Sequence, residues 1–282
     1  MVWMVMMATV VVAPGGVVIR PVANLHAAPS EDAEVVSQAI YATTVSVLEE
    51  KEGWRKVRTP GDDYTGWVEP AALLPLPAGA PPYASHGHVA HVGSLFANLY
   101  REPSVTRRQP LVTVPYDTRL EATGETDAEN HRWIKVRLPD ASTAFVQQGD
   151  ISFQRSPASI EDVIALGKRF LGIPYLWGGV SSYGLDCSGF MQLLARRRGL
   201  TLPRDARPQS QWTGSAPVAR AELKPADLLY FGPSPEKVNH TGMYIGNGQF
   251  IHATANTHPM VQISRLDDEP WTRLFVAARR VK

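Results

Sequence analysis

The sequence predicts a multidomain chain: two small curled β-barrels, followed by an α+β domain. Three features predict it. Two β-rich segments repeat, a proline-rich connector separates them, and the pattern changes after about residue 155. A length of 282 residues also exceeds one ordinary domain.

The chain opens with "MVWMVMMATVVVA", 13 apolar or small residues with no Lys or Arg before them. That is too short to span a bilayer. It has the length of a signal-peptide apolar region but lacks the basic start. Residues 1–16 are therefore expected to be an apolar leader or an irregular start. Export with cleavage soon after Ala13 is the alternative, so the sequence leaves the compartment open.

The first barrel is expected over 17–80 and the second over 81–155. "VANLHAAPS" (22–30) matches "FANLYREPS" (96–104), and "GWRKVRTPGD" (53–62) matches "RWIKVRLPDA" (132–141). Spacing of this size indicates duplicated domains and not a solenoid. Each copy is rich in Val, Thr, Tyr and Trp and is broken by Pro, Gly and Asp, as short strands and turns require. "WRKVRT" and "WIKVRL" alternate as half-buried strands do. The proline-rich "LLPLPAGAPPY" (73–83) reads as a semi-rigid connector. A second boundary falls near "FQRSPAS" (153–159).

Residues 156–282 form the α+β part. In "SIEDVIALGKRFLG", Ser159 is an N-cap, Glu161 and Asp162 lie in the first turn, and Gly172 closes an amphipathic helix. A second helix starts near Cys187 and ends with Arg196, Arg197 and Arg198 before Gly199. Cations suit that negative end of the dipole, so the arginine triplet needs no nucleic-acid explanation. Strand-like runs follow at 227–232, 240–254, 261–266 and 274–281, an antiparallel sheet after helices.

Charged residues make up 20% of the chain and the net charge is +1. Neither nucleic acid nor an anionic membrane is favoured as a partner. Cys187 is the only cysteine, which excludes an internal disulfide scaffold. At a helix start, the positive dipole end favours thiolate, and unpaired backbone N–H groups can serve an oxyanion. Gly184 and Gly189 around it permit tight turns and close substrate approach.

A thiol nucleophile needs a base and an orienting group. His240 and His252 flank the hairpin signal "GNG" (246–248). A two-residue loop at Asn247-Gly248 sets His252 opposite Met243, with the imidazoles on opposite faces. A three-residue loop sets it opposite Gly242, with both on one face. A His240–His252 pair therefore predicts an odd loop or a bulge. "HGHVAH" holds His86, His88 and His91 without supporting carboxylates, so no metal is expected there. "GGVSSYG" lacks the Lys and spacing of a phosphate loop. Amide hydrolysis by a thiol needs no cofactor.

"PYLWGG…GLDCSGF", "LPRDA", "LKPADLLYF" and "HTGMYIGNGQFIHA" resemble, in order and spacing, the NlpC-type papain-like cell-wall cysteine peptidases over about 160–282. The duplicated β modules resemble bacterial SH3 domains. The whole looks like γ-D-glutamyl-L-diamino acid endopeptidases of bacterial murein turnover. The resemblance implies Cys187 as nucleophile, His240 as base, His252 as its orienting group, and Tyr175 as oxyanion donor. It implies Asp205 as partner of the substrate ammonium, with Asp186, Ser188, Trp177 and Arg204 at the peptide. Tyr64, with Glu31 or Glu34, is expected to reach across from the first module. Ala206 stands where related sequences often carry serine, which removes one hydrogen bond to substrate.

The implied substrate is a murein peptide, L-Ala-γ-D-Glu-diamino acid with a free amino end, cut through a thioester. A monomer with no membrane span is expected. The alternatives are a non-catalytic peptidoglycan-binding protein or an acyltransferase using the same cysteine.

Overall fold

A computed structural model describes residues 15–126, 131–256 and 258–282. The apolar leader lies outside the described residues up to position 14, and the first strand opens at Gly15.

The first module is a single seven-stranded sheet of mixed long and short strands. Its spatial order is Val35–Ile40, Val22–His26, Thr65–Val68, Trp54–Arg58, Thr44–Lys51, Gly15–Val18 and Leu73–Leu76. All pairings are antiparallel. Curling buries Val18, Leu25, Val57 and Val68 on one side. The proline-rich connector is shorter than the sequence suggests. Leu73–Leu76 is an edge strand paired with Gly15–Val18, a place where Pro75 forfeits no central ladder bond.

The second module splits its strands. Thr143–Gln147, Trp133–Arg137, Arg119–Thr126, Val89–Val92 and Ile151–Ser152 form one sheet, while Phe96–Leu99 pairs with Val112–Pro115. Leu99, Val114, Leu120 and Val136 fill its core. The repeated tryptophans Trp54 and Trp133 each open the equivalent strand.

The remaining residues form helices against a six-stranded antiparallel sheet. Helix α1 (Ile160–Arg169) begins with a capping box between Ser159 and Asp162. Helix α2 (Cys187–Arg197) is buried along almost its whole length, because it lies between the sheet and both β modules. The sheet runs in the order Ser215–Pro217, Phe275–Val281, Leu228–Phe231, His240–Gly246, Gln249–Thr254 and Met260–Arg265. Phe170, Phe190, Leu194, Tyr230 and Ile251 fill the space between helices and sheet. Two short helices complete the domain, α3 (Ala206–Ser210) and α4 (Trp271–Leu274). Among the described residues no helix is long and apolar enough to cross a membrane.

The decisive hairpin carries the predicted bulge. Met243 pairs with Ile251 and Tyr244 with Phe250, but Gly246 pairs with Gln249, leaving Ile245 as the extra residue. Gly246, Asn247 and Gly248 all have positive φ (99°, 53° and 71°), which two glycines and an asparagine accept cheaply. Both imidazoles thereby share a face.

Candidate active site

Cys187 is the first residue of α2 and is buried. Asp186 caps the helix by accepting the Gly189 N–H at 2.7 Å. Its carboxylate is gripped from the other side by Arg204, with Nη1 at 3.1 Å from Oδ1 and Nη2 at 2.5 Å from Oδ2. Gly189 has no room for a side chain, since a Cβ would lie 2.2 Å from the Gly179 carbonyl. At Gly184 a Cβ would lie 2.6 Å from Leu176. These glycines therefore admit the protein's own backbone and core, not a substrate.

The backbone N–H groups of Thr241 and Ser188 lie near the sulfur and favour its thiolate form. This ties the start of α2 to the residue next to His240. Burial nevertheless pushes the thiol up to about 12, and the Asp186 charge adds to it; the two N–H groups and Arg204 pull the other way. Burial thus opposes the preference for thiolate that the start of a helix provides. A buried thiolate loses more solvation than the first turn returns.

His240 Nε2 lies 2.8 Å from His252 Nδ1, and His252 Nε2 lies 3.0 Å from Ser264 Oγ. One hydrogen sits in each contact. With His240 protonated on Nε2 and His252 on Nε2, the chain of donors points from His240 to Ser264 and leaves His240 Nδ1 bare. Trp271 of α4 stacks on His240 at 5.1 Å and meets His252 edge-on at 4.7 Å. This ring covers part of both imidazoles; His252 is buried, whereas His240 stays part-exposed. Burial pushes His240 down to about 3, and burial plus the neighbouring ring holds His252 well below its ordinary value. Thiol and imidazole both rest uncharged.

A cavity of about 320 Å³ opens over Cys187, and its wall includes Tyr175, Trp177, Asp205, Tyr64 and Glu34. Burial, then the charges of Cys187 and Asp186, raises the Tyr175 hydroxyl, so it stays a hydrogen-bond donor beside the sulfur. Asp205 is solvent-exposed and stands beside the Tyr64 hydroxyl of the first module. Partial burial raises its pKa, against the opposing pull of Arg204. Glu34 accepts the Trp177 indole N–H at 2.9 Å. The carboxylates of Glu34 and Asp205 thus share one cavity with the thiol.

Several expected contacts fall differently. Of the two candidate acids, Glu34 lines the cavity, whereas Glu31 is exposed and outside it. The side chain of Arg204 is only 1% exposed and is consumed by Asp186, Ser188 and Ser37, so it underlies the site and meets no peptide. Asp186 likewise spends its oxygens on Gly189, Arg204 and Ser188. Ser188 is buried, with its hydroxyl between Asp186 and Arg204. Neither side chain is free for substrate. His91 contacts Arg155 away from this cavity.

The NlpC/P60 family pattern matches residues 172–280, and a bacterial dipeptidyl-peptidase SH3 domain matches 25–73. A gamma-D-glutamyl-L-lysine dipeptidyl-peptidase of Bacillus cereus is 33% identical over 86% of this chain and 74% of its own. The chain belongs to the NlpC/P60 family. It is a cysteine peptidase with an N-terminal bacterial SH3 domain. A second enzyme of the same name, from Bacillus subtilis, is 28% identical over 88% of this chain and 82% of its own. The crystal structure of an NlpC/P60 family protein from Bacillus cereus superposes with a TM-score of 0.81 at 26% identity, covering 95% of this chain and 99% of that one.

Sequence reasoning missed three contributors to the site of this NlpC/P60 peptidase. Ser264 stands one strand beyond His252, and only sheet order brings it there. Trp271 arrives on a four-residue helix that carries no periodic signal. Ser37 reaches Arg204 across a domain boundary. The shared apolar pattern "QISRL" around Ser264 marks a strand but not a hydrogen-bond partner.

Proposed function

We propose that this peptidase hydrolyses the amide between the γ-carboxyl of D-glutamate and the diamino acid in murein peptides whose L-alanine has a free amino group. The observation that carries the reading is the exposed Asp205, which stands beside Tyr64 in the wall of the cavity that also holds Cys187. An ammonium needs such a carboxylate. Glu34 supplies a second negative charge beside it. Both Tyr64 and Glu34 belong to the first β module, so that module closes the cavity beyond the first residue of the substrate. The names of the Bacillus relatives support the same substrate class. The second β module, also read as SH3-like, supplies no residue to this wall among those described.

Chemistry proceeds from the neutral pair. The Cys187 thiol gives its proton to His240 Nδ1 as the sulfur attacks the γ-carbonyl carbon. Charge develops on the carbonyl oxygen and is met by the Tyr175 hydroxyl and a backbone N–H at the start of α2. The imidazolium is steadied by His252, and through it by Ser264. His240 then returns the proton to the departing amine as the C–N bond breaks, leaving a thioester. Water, deprotonated by His240, attacks the thioester, and the sulfur leaves with the proton restored.

The test is a panel of L-Ala-γ-D-Glu-L-Lys and L-Ala-γ-D-Glu-diaminopimelate peptides, amino-free and N-acetylated. Amino-free peptides should be cut about 100-fold faster, the value of a charge-assisted contact in a partly buried site. Cys187→Ala should fall to about 10⁻⁴ of the native rate or lower. Activity persisting in Cys187→Ala, or equal turnover of blocked and free peptides, would overturn the reading.

A further inference from the structure

Arg204 is placed unusually for a residue so near the nucleophile. It is 3% exposed and has no route to the cavity, yet every polar edge of its guanidinium is used. Nη1 and Nη2 take the two oxygens of Asp186, and Nη1 also reaches Ser188 Oγ at 3.0 Å. The remaining edge, Nε, donates to Ser37 Oγ at 2.9 Å. Ser37 belongs to the first β module and is 2% exposed. The bond therefore crosses a domain boundary without water.

We propose that Ser37 is a positioning residue for the nucleophile: by fixing Arg204 it fixes Asp186 and the first turn of α2. The first β module then sets the reactivity of Cys187 itself, and not only which peptides reach it. The inference rests on the reading of Cys187 as the nucleophile.

Geometry explains how one hydroxyl can matter. A guanidinium is planar and rigid, so holding Nε fixes the plane in which both Nη groups meet the carboxylate. Asp186 in turn holds the Gly189 N–H, which sets the helix turn that presents the sulfur. Asp186 and Arg204 also act on the sulfur with opposite sign. Loss of the Ser37 contact strands a buried N–H and lets the fork turn, so the carboxylate beside the sulfur is less well neutralised. The thiolate formed in the transition state then meets more negative charge.

A neighbouring contact provides the control. Gln38 Oε1 accepts the Val180 N–H at 3.3 Å, a buried bond between the same two domains that touches neither Arg204 nor the Asp186 carboxylate; its peptide reaches Asp186 only at the backbone N–H, through the Gly179 carbonyl at 3.0 Å. General docking of the module depends on both contacts, whereas positioning of the nucleophile depends on Ser37.

The experiment is alkylation of Cys187 by iodoacetamide, a reagent too small to need the groove, followed across pH beside peptide kinetics. Ser37→Ala should slow alkylation about fivefold at neutral pH and shift its pH profile upward, with kcat falling in proportion and KM unchanged. Gln38→Leu should alkylate within about twofold of the native protein. Arg204→Lys keeps the charge but loses the Nε donor, and should be slowed at least as much as Ser37→Ala. It also covers the case in which Ser37→Ala does not fold. Native alkylation rates in Ser37→Ala or Arg204→Lys, or equal slowing in Gln38→Leu, would overturn the proposal. If alkylation of the native protein left peptide hydrolysis intact, the nucleophile assignment would fail instead.

Discussion

Ser37 and Val112 occupy the same rung of the two β modules. In the first, Leu25 pairs with Ser37 and Asn24 with Gln38; in the second, Leu99 pairs with Val112 and Asn98 with Thr113. Even the side-chain bonds correspond, Gln38 to Asn24 and Thr113 to Asn98. Yet the first module turns Glu34, Ser37, Asp62 and Tyr64 toward the start of α2 and the cavity. The second sends Asp117 to Arg155 and to Arg196 in the last turn of α2, and its backbone carbonyls to Ser182, Tyr183 and Arg169. One module meets the Cys187 side of the helix and the cavity, and the other salt-bridges its last turn. The two modules share this rung and its side-chain bond, while a few loop and edge residues decide what each one touches.

The sharpest break of this contrast lies at the cavity. Asp205→Asn should lower kcat/KM for amino-free peptide about 100-fold and leave N-acetylated peptide within about twofold. Steady-state kinetics on the pair check it. In the second module, Asp117→Asn should cost about 2 kcal/mol in urea unfolding, because it strands two partly buried arginines, with kcat unchanged. A fall in kcat there would erase the distinction between the modules. Tyr64→Phe removes the hydroxyl beside Asp205 and should cost about tenfold in kcat/KM, mostly through KM.

The smallest effect is in pH dependence. His240 is held down to about 3 and His91, beside the second module's Asp117, down to about 4; burial is the largest cause for both. Both are neutral when folded, while the unfolded chain takes up protons near pH 6.5. Each therefore contributes stability that is full above about pH 6.5 and is lost as pH falls toward the folded value. Thermal melts from pH 7 to 4 should show a slope that His240→Gln or His91→Gln flattens by at most about 1.4 kcal/mol per pH unit. An unchanged slope in His91→Gln would mean that the second junction admits water. Asp205 titrates above the ordinary aspartate range, so KM for amino-free peptide should rise earlier on acidification than a free carboxylate implies.

Much of the catalytic layer was legible. Ser159 with Asp162 announced α1, and Asp186-Cys187 followed by an apolar run announced α2. The need for both imidazoles on one face required the bulge at Ile245, and the glycines made it cheap. Such signals are local, because caps and turns are settled by a few adjacent residues. Arg204 was misread because a charged residue beside Asp205 resembles an exposed binding group. Its burial depends on Asp186 and Ser37, 18 and 167 positions away.

By itself, then, the sequence determined the two helices and the hairpin, and that His240 and His252 meet on one face of the sheet. Only the tertiary structure decided which acid of the first module faces the cavity, that Ser264 and Trp271 complete the histidine site, and that thiol and imidazole rest uncharged. The reason is physical. Propensity and periodicity act over one turn or one strand, whereas desolvation and long-range hydrogen bonds depend on what the rest of the chain packs against a group.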